Sequence, residues 1–184
     1  MLDDVQIRRA LKEFLLTRGR FPKLLVEELR IHNGNSIADV VTIHKYMHGY
    51  EIKGSRDSVS RLKTQLEFYQ LSFPTVTLVL TTKHQKWAEK NLPKHWGILL
   101  AFKTNTDEIK FKYLRRSRFN PTFVVNTSLT MLWKNELLKI TNGIPEVNAK
   151  TKDSRLDLVE KISPKLNKNL TAELLSKAIL DRHS

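Results

Sequence analysis

Two carboxylates and a lysine stand close together in the first third of the chain and could perform chemistry jointly. Asp39 lies in residues 37–43, a β-branched and apolar segment that predicts a strand, and Glu51 and Lys53 lie in the next predicted strand, residues 50–53. Because side chains alternate along a strand, Glu51 and Lys53 point to the same face. Such a group at a hairpin edge can hold a hard divalent cation and a phosphate together, which suggests phosphodiester hydrolysis.

Each of these side chains has a role in that chemistry. Mg²⁺ or Mn²⁺ needs oxygen ligands, which Asp39 and Glu51 can supply, with the backbone carbonyl of Ile52 as a further ligand. The metal lowers the pKa of a bound water. Lys53 can orient that water or stabilise the charge of the transition state. Glu28 could contact the metal through water or bind a second ion.

Ordinary structural explanations of these residues stay open. A Glu-x-Lys triplet is common by chance, and Asp39 with Lys53 could be a cross-strand ion pair. Glu28, or its neighbour Glu27, could be an exposed carboxylate that closes a helix predicted over Lys23–Arg30. The order of the residues along the chain favours the functional interpretation.

A predicted helix follows the second strand, with Asp57 as its N-cap and its end near Leu71. Arg61, Gln65 and Tyr69 are four residues apart and share one helical face. Arg61 and Gln65 could reach a phosphate or a metal-bound water, while Tyr69 packs beneath and offers its hydroxyl. Equally, Tyr69 could be a core residue beside two solvated side chains.

These motifs resemble the PD-(D/E)XK nuclease superfamily. The resemblance is carried by Glu28, Ala38-Asp39, Glu51-Ile52-Lys53 and the pattern from Gln65 to Tyr69, which is similar to the Gln-x-x-x-Tyr motif of the RecB-like branch. It covers about residues 1–100 and extends to a bacterial and phage group within the superfamily. Ala38 stands where the family motif has proline.

The resemblance implies a restriction-endonuclease-like α/β core with a four-stranded mixed sheet flanked by helices. It also implies a Mg²⁺- or Mn²⁺-dependent phosphodiesterase that binds metal through Asp39 and Glu51 and uses Lys53 in catalysis. The implied catalytic set is Glu28, Asp39, Glu51, Lys53, Gln65 and Tyr69.

The charge of the chain favours a polyanionic partner. Its 32 basic and 19 acidic residues give a formal net charge of +13, and neutralising phosphates releases condensed counterions. A solvated basic face or an anionic membrane surface remain alternatives. The densest basic cluster is residues 110–118. Nucleic acid, DNA rather than RNA, is expected to contact Arg56, Arg61, Lys112, Arg115, Arg116 and Arg118.

Other features narrow the class of protein. No apolar run approaches the roughly 20 residues that span a bilayer, so no membrane partner is expected. The chain has no cysteine, which fits a cytoplasmic location. It has neither a Walker-type phosphate loop nor a Gly-x-Ser-x-Gly elbow.

Further along the chain, residues 75–80 and about 96–102 are predicted as two more strands, with a helix around residues 85–91 between them. The sequence therefore predicts a nuclease-like core over residues 1–104 and a basic, mainly helical extension over residues 105–184. The leading hypothesis is a metal-dependent nuclease that acts on DNA. One alternative is a non-catalytic nucleic-acid-binding protein on the same fold. Another is an interaction subunit whose helical tail docks a partner, so that deleting residues 121–184 would spare the core. The oligomeric state is open, with a homodimer as one option.

Overall fold

A computed structural model describes residues 2–17, 21–58 and 62–184, and within them six strands form one mixed sheet. The strands are β1 Leu24–Ile31, β2 Ser36–Ile43, β3 Met47–Lys53, β4 Thr75–Leu80, β5 Gly97–Lys103 and β6 Ile109–Arg115. Their order in the sheet is their order in the chain. The β3–β4 and β4–β5 pairs are parallel and the other three are antiparallel.

In the described parts of the chain, seven α-helices flank the sheet or follow it. They are α1 Asp4–Thr17, α2 Leu62–Ser72, α3 Gln85–Asn91, α4 Val125–Leu129, α5 Lys134–Thr141, α6 Arg155–Ile162 and α7 Lys168–His183. The N-cap predicted at Asp57 depends on residues 59–61, which lie outside the described residues. Among the helices of the described ranges, none is long and apolar enough to cross a membrane.

The predicted helix over Lys23–Arg30 is wrong, because this segment forms strand β1. Leu29 and Ile31 are buried while Glu28 and Arg30 are exposed, which is the alternation of a half-buried strand. Strand β1 pairs along its length with β2 after a tight connection. Tertiary pairing of this kind overrides the modest helix propensity of Leu, Glu and Arg.

The four-stranded sheet is also wrong, since β1 and β6 add one strand at each edge of the four expected strands. Strand β6 comes from the segment assigned to the helical extension and pairs with β5. Phe111 is buried between exposed Lys110 and Lys112, so the alternation was visible in the sequence. The high density of positive charge in this segment concealed it.

The sheet is the middle of three layers. On one face, Ile7 and Leu11 of α1 pack against buried side chains that include Val40, Ile52 and Val79. On the other face, α2, α3 and the C-terminal helices share a single larger cluster with the sheet. Strands β3 and β4 are therefore covered on both sides, and this explains why Thr75–Leu80 is almost wholly apolar or β-branched.

Candidate active site

The candidate site lies where strands β2 and β3 separate. Their backbone pairing runs from Ile43↔Met47 to Val40↔Tyr50 and stops there. Beyond that point a side chain takes the place of a backbone partner. Oδ2 of Asp39 accepts a hydrogen bond of 2.8 Å from the backbone amide of Ile52. The separation leaves room for side chains between two strands that would otherwise be closed by backbone hydrogen bonds.

Tyr69 of α2 fills the base of this opening. Its hydroxyl accepts a hydrogen bond of 2.9 Å from the amide of Asp39 and donates one of 3.3 Å to the carbonyl of Tyr50. The side chain is fully buried. Burial, followed by the charges of Glu51 and Asp39, raises the pKa of Tyr69 well above its ordinary value. The hydroxyl therefore stays protonated and connects the two strands.

Glu51 is a buried carboxylate without a directed hydrogen bond. It is 1% exposed, and neither of its oxygens has a well-oriented hydrogen-bond partner among the described residues, although the hydroxyl of Tyr69 approaches the carboxylate. Lys53 Nζ lies 2.7 Å from Oε1 and provides a charge contact. Buried charges are ordinarily both paired and hydrogen-bonded. The free hydrogen-bonding capacity of Glu51 is therefore the most unusual chemical feature of the site.

The pKa of Asp39 is strongly raised by its surroundings. Burial and then the charge of Glu51 raise its pKa from 3.8 to about 7, while the hydrogen bond from Ile52 and the charge of Arg8 act in the opposite direction. Two nearby carboxylates in a poorly hydrated place disfavour simultaneous ionisation. A bound cation would remove this cost.

Arg8 of α1 is a central residue that sequence reasoning missed. Its guanidinium contacts three carboxylates, with distances of 3.2 Å to Asp4, 3.0 Å to Glu28 and 3.0 Å to Asp39. Burial raises the pKa of Asp4. Asp4 and Arg8 are four residues apart on one helical face, a spacing that was visible in the sequence but that by itself indicates only a local ion pair.

Glu28 does not close a helix but lies in β1 opposite Asp39. The paired residues on either side of it are Glu27↔Val40 and Leu29↔Ala38. Its φ of 56° lies in the left-handed region that side chains other than glycine rarely adopt. Its side chain is 69% exposed and contacts Arg8, so Glu28 stands at the outer rim of the site.

The structure locates some of the remaining predicted site residues but not all of them. Gln65 is half-buried on α2, one turn before Tyr69. The amide of Ile52 is bound to Asp39, and a ligand role for its carbonyl stays a prediction. Arg61 lies outside the described residues. The structure thus brings Asp39, Glu51 and Tyr69 together and adds Arg8.

The predicted nucleic-acid contacts on and after β6 lie away from this site. Lys112 and Arg115 lie on β6, which is three strands from β3 and hence about 14 Å away at the usual strand spacing. Arg115 donates to the carbonyls of Trp96 and Pro93 and so braces the fold. Arg116 lies over the ring of Tyr113, and Arg116 and Arg118 are exposed, as is Arg56 in the turn after β3.

The fold and the site together define an α/β protein with a cluster of carboxylates and basic side chains between two separating strands. The chain belongs to the family described as bacteriophage P4 protein cII, which matches residues 2–183. Protein cII of Enterobacteria phage P4 is 26% identical over 186 residues, an alignment that covers 100% of this chain and 69% of that protein.

A comparison with solved structures found the SPO1766 protein of unknown function from Silicibacter pomeroyi. It is 15% identical, and the superposition covers 71% of this chain and 85% of that one with a TM-score of 0.42. No shared fold is inferred at this score.

Proposed function

We propose that this chain is a Mg²⁺- or Mn²⁺-dependent nuclease that hydrolyses phosphodiester bonds in DNA, with a restriction-endonuclease-like core of the PD-(D/E)XK type. The carrying observation is the buried carboxylate of Glu51, which has no directed hydrogen bond and lies beside Asp39 and Lys53. Strands β1–β4, the part of the six-stranded sheet that contains the site, include both antiparallel and parallel pairs and have α1 on one face and α2 on the other, which supports the proposed core.

The donor set fits a hard divalent cation. Asp39 and Glu51 supply anionic oxygens, and both the raised pKa of Asp39 and the unsatisfied oxygens of Glu51 favour a positive charge nearby. No group of three or more acidic or histidine side chains among the described residues is placed as a metal cage. Two carboxylates with water and substrate phosphate are the usual protein contribution to a Mg²⁺ site.

In the proposed hydrolysis the side chains around the metal have separate roles. When bound, the metal supplies Lewis acidity that lowers the pKa of a coordinated water and offsets charge on the phosphate oxygens. Lys53 positions the attacking water or stabilises the negative charge that develops in the transition state. Its side chain is suited to this role because it is 12% exposed and is held in place by its contact with Glu51. Tyr69 keeps the Asp39 backbone in place. Arg8 contacts Asp39 and offsets part of its charge.

The test is cleavage of supercoiled plasmid, linear duplex and single-stranded DNA in Mg²⁺ or Mn²⁺ by the purified chain. We expect Glu51→Gln and Lys53→Met each to lower the rate about 100-fold or more. Glu108→Gln and Lys110→Met are matched controls, because these residues form an ion pair that is 63% and 60% exposed beside β6. They should cleave as the wild type does.

Binding of Mn²⁺ without nucleic acid, measured by calorimetry, provides an independent test. We expect one class of site that Glu51→Gln abolishes and Glu108→Gln preserves. A wild-type chain that cleaves none of the three substrates would refute the proposal, as would full activity of the Glu51 and Lys53 variants.

One observation favours a second function, a non-catalytic nucleic-acid-binding protein on the same fold. Arg8 already neutralises part of the charge of Asp4, Glu28 and Asp39 by direct contact, so the cluster is partly balanced without a metal. This alternative predicts salt-sensitive binding that persists in chelator and in the Glu51→Gln variant, with no strand scission.

A further inference from the structure

A groove begins at the rim of the site and runs along the outer edge of β1 towards the C-terminal helices. It has a volume of about 520 Å³, and we call it the β1 groove. The lining residues used below are Glu28, Arg30, Asn33, Trp133, Arg155 and Arg182. Glu28 belongs both to this lining and to the contacts of Arg8, so the groove is continuous with the carboxylate cluster.

The β1 groove carries uncompensated positive charge. Arg30 is exposed and forms none of the ion pairs found among the described residues. Arg155 donates to the carbonyl of Thr130 and to Oδ1 of Asn33, which are neutral partners. Of the two acidic lining residues, Glu27 contacts Lys12, and Glu28 shares Arg8 with Asp4 and Asp39. Two guanidinium groups therefore remain for an anionic ligand.

An exposed aromatic ring stands in the wall of the same groove. Trp133 is 57% exposed, and the guanidinium of Arg182 lies 4.2 Å from its ring centroid. Arg182 is held by a hydrogen bond of 2.8 Å to Glu136 and by the carbonyl of Met131. Because Arg182 is fixed in this way, the indole has a defined position although it faces solvent.

We propose that the β1 groove binds a single strand of nucleic acid and leads it to the site, with backbone phosphates on Arg30 and Arg155 and an unpaired base stacked on Trp133. Grooves that combine cationic side chains with an exposed ring are how proteins hold unpaired strands. Duplex bases are already stacked on one another and offer no free face to the indole. The inference rests on the proposed nuclease and assigns the substrate class of its site.

The test is binding of labelled 20-nucleotide oligothymidylate, oligouridylate and a 20-base-pair duplex, measured by fluorescence anisotropy in chelator so that no cleavage takes place. We expect both single strands to bind more tightly than the duplex. Trp133→Leu should weaken single-strand binding by about 5-fold or more, whereas Trp133→Phe retains stacking and most of the affinity.

The contribution of positive charge is tested by Arg30→Gln. Arg9→Gln is the matched control, because Arg9 is 85% exposed on α1 and does not line the β1 groove. Arg30→Gln should weaken binding and reduce the slope of log affinity against log salt by about 1, as expected when one phosphate contact is lost. Arg9→Gln should leave both quantities unchanged. Equal losses in the two variants, equal affinity for duplex and single strand, or unchanged binding of Trp133→Leu would overturn the proposal.

The outcome can be separated from that of the nuclease proposal. Binding in chelator does not need the metal, so Glu51→Gln should bind oligothymidylate as the wild type does even though cleavage is lost. If the chain binds single strands through Trp133 and Arg30 but never cleaves them, the proposal for the β1 groove stands and only the nuclease proposal is refuted.

Discussion

Asp39 remains protonated at pH values where aspartate is ordinarily ionised. Its pKa is about 7 in the folded chain and close to 3.8 when unfolded, so between these values the native state binds more protons than the unfolded state does. By linkage, the contribution of this residue to the free energy of unfolding is highest below about pH 4 and falls as the pH rises to about 7.

This prediction is checked by urea unfolding in chelator from pH 4 to 8. The measured quantity is the free energy of unfolding of the wild type minus that of Asp39→Asn. It should fall between pH 4 and 7 by about 1.4 kcal/mol for each unit by which the pKa of Asp39 is raised. Above the folded-state pKa of about 7 it should become constant. Subtracting the variant removes the other titrating groups. A difference that stays constant, or that rises with pH, would contradict a raised pKa.

Tyr69 supplies a second prediction at the scale of the residue. Tyr69→Phe removes the acceptor of the Asp39 amide and the donor to the Tyr50 carbonyl, so two polar groups inside the protein lose a partner. The free energy of unfolding should fall by about 1–3 kcal/mol. Tyr46→Phe is the control, because its hydroxyl lies beside the exposed Lys45. Equal stabilities of the two variants would show that the buried hydroxyl is dispensable.

At the scale of the element, the backbone of β1 is strained at Glu28. Its positive φ costs an L-residue about 1–2 kcal/mol, and glycine avoids this cost. Both Glu28→Gly and Glu28→Ala lose the contact with Arg8, so their difference isolates the backbone. We expect Glu28→Gly to be the more stable by about 1 kcal/mol in thermal or urea unfolding.

The same pair of substitutions at Glu27 is the control. Glu27 has the ordinary strand conformation, where glycine is the more costly residue by about 0.5–1 kcal/mol. Glu27→Gly should therefore be less stable than Glu27→Ala. The opposite signs at adjacent positions would identify a strained residue in the strand rather than a general effect of glycine.

Elements whose residue types favour one kind of structure could be predicted from the sequence, whereas the shape of the site could not. Helix α3 lies at Gln85–Asn91, and β4 lies at Thr75–Leu80, where Val and Thr favour a strand. Strand β1 was missed because its Leu, Glu and Arg residues favour helices. The contact between Arg8 and Asp39 depends on how α1 crosses the sheet, and 31 residues of separation leave no local pattern that could reveal it.

At the scale of the whole molecule, the C-terminal helices belong to the main core rather than to a detachable tail. Phe123, Leu132 and Leu175 are fully buried in the same cluster as Ile31 and Val41 of the sheet. Asn120 donates to the carbonyls of Gln70 and Phe73 at the end of α2. We therefore expect deletion of residues 121–184 to expose one face of the sheet and to unfold the core.

A single substitution tests this packing without deleting the chain. Phe123→Ala should lower the free energy of unfolding by about 3–5 kcal/mol, as expected for a buried aromatic side chain. Phe21→Ala is the matched control because Phe21 is 66% exposed, and its effect should lie within about 0.5 kcal/mol. A small loss for Phe123→Ala would indicate that the C-terminal helices are independent of the sheet.

The agreement between strand order and chain order has a consequence for synthesis in the cell. Each new strand can pair with the one made just before it, and α1 is ready to cover its face of the sheet from the start. The opposite face is completed only when α4–α7, which follow all six strands in the chain, have been synthesised. Until then the nascent chain presents an open apolar surface, so slow translation of α4–α7 would favour aggregation or recruitment of chaperones.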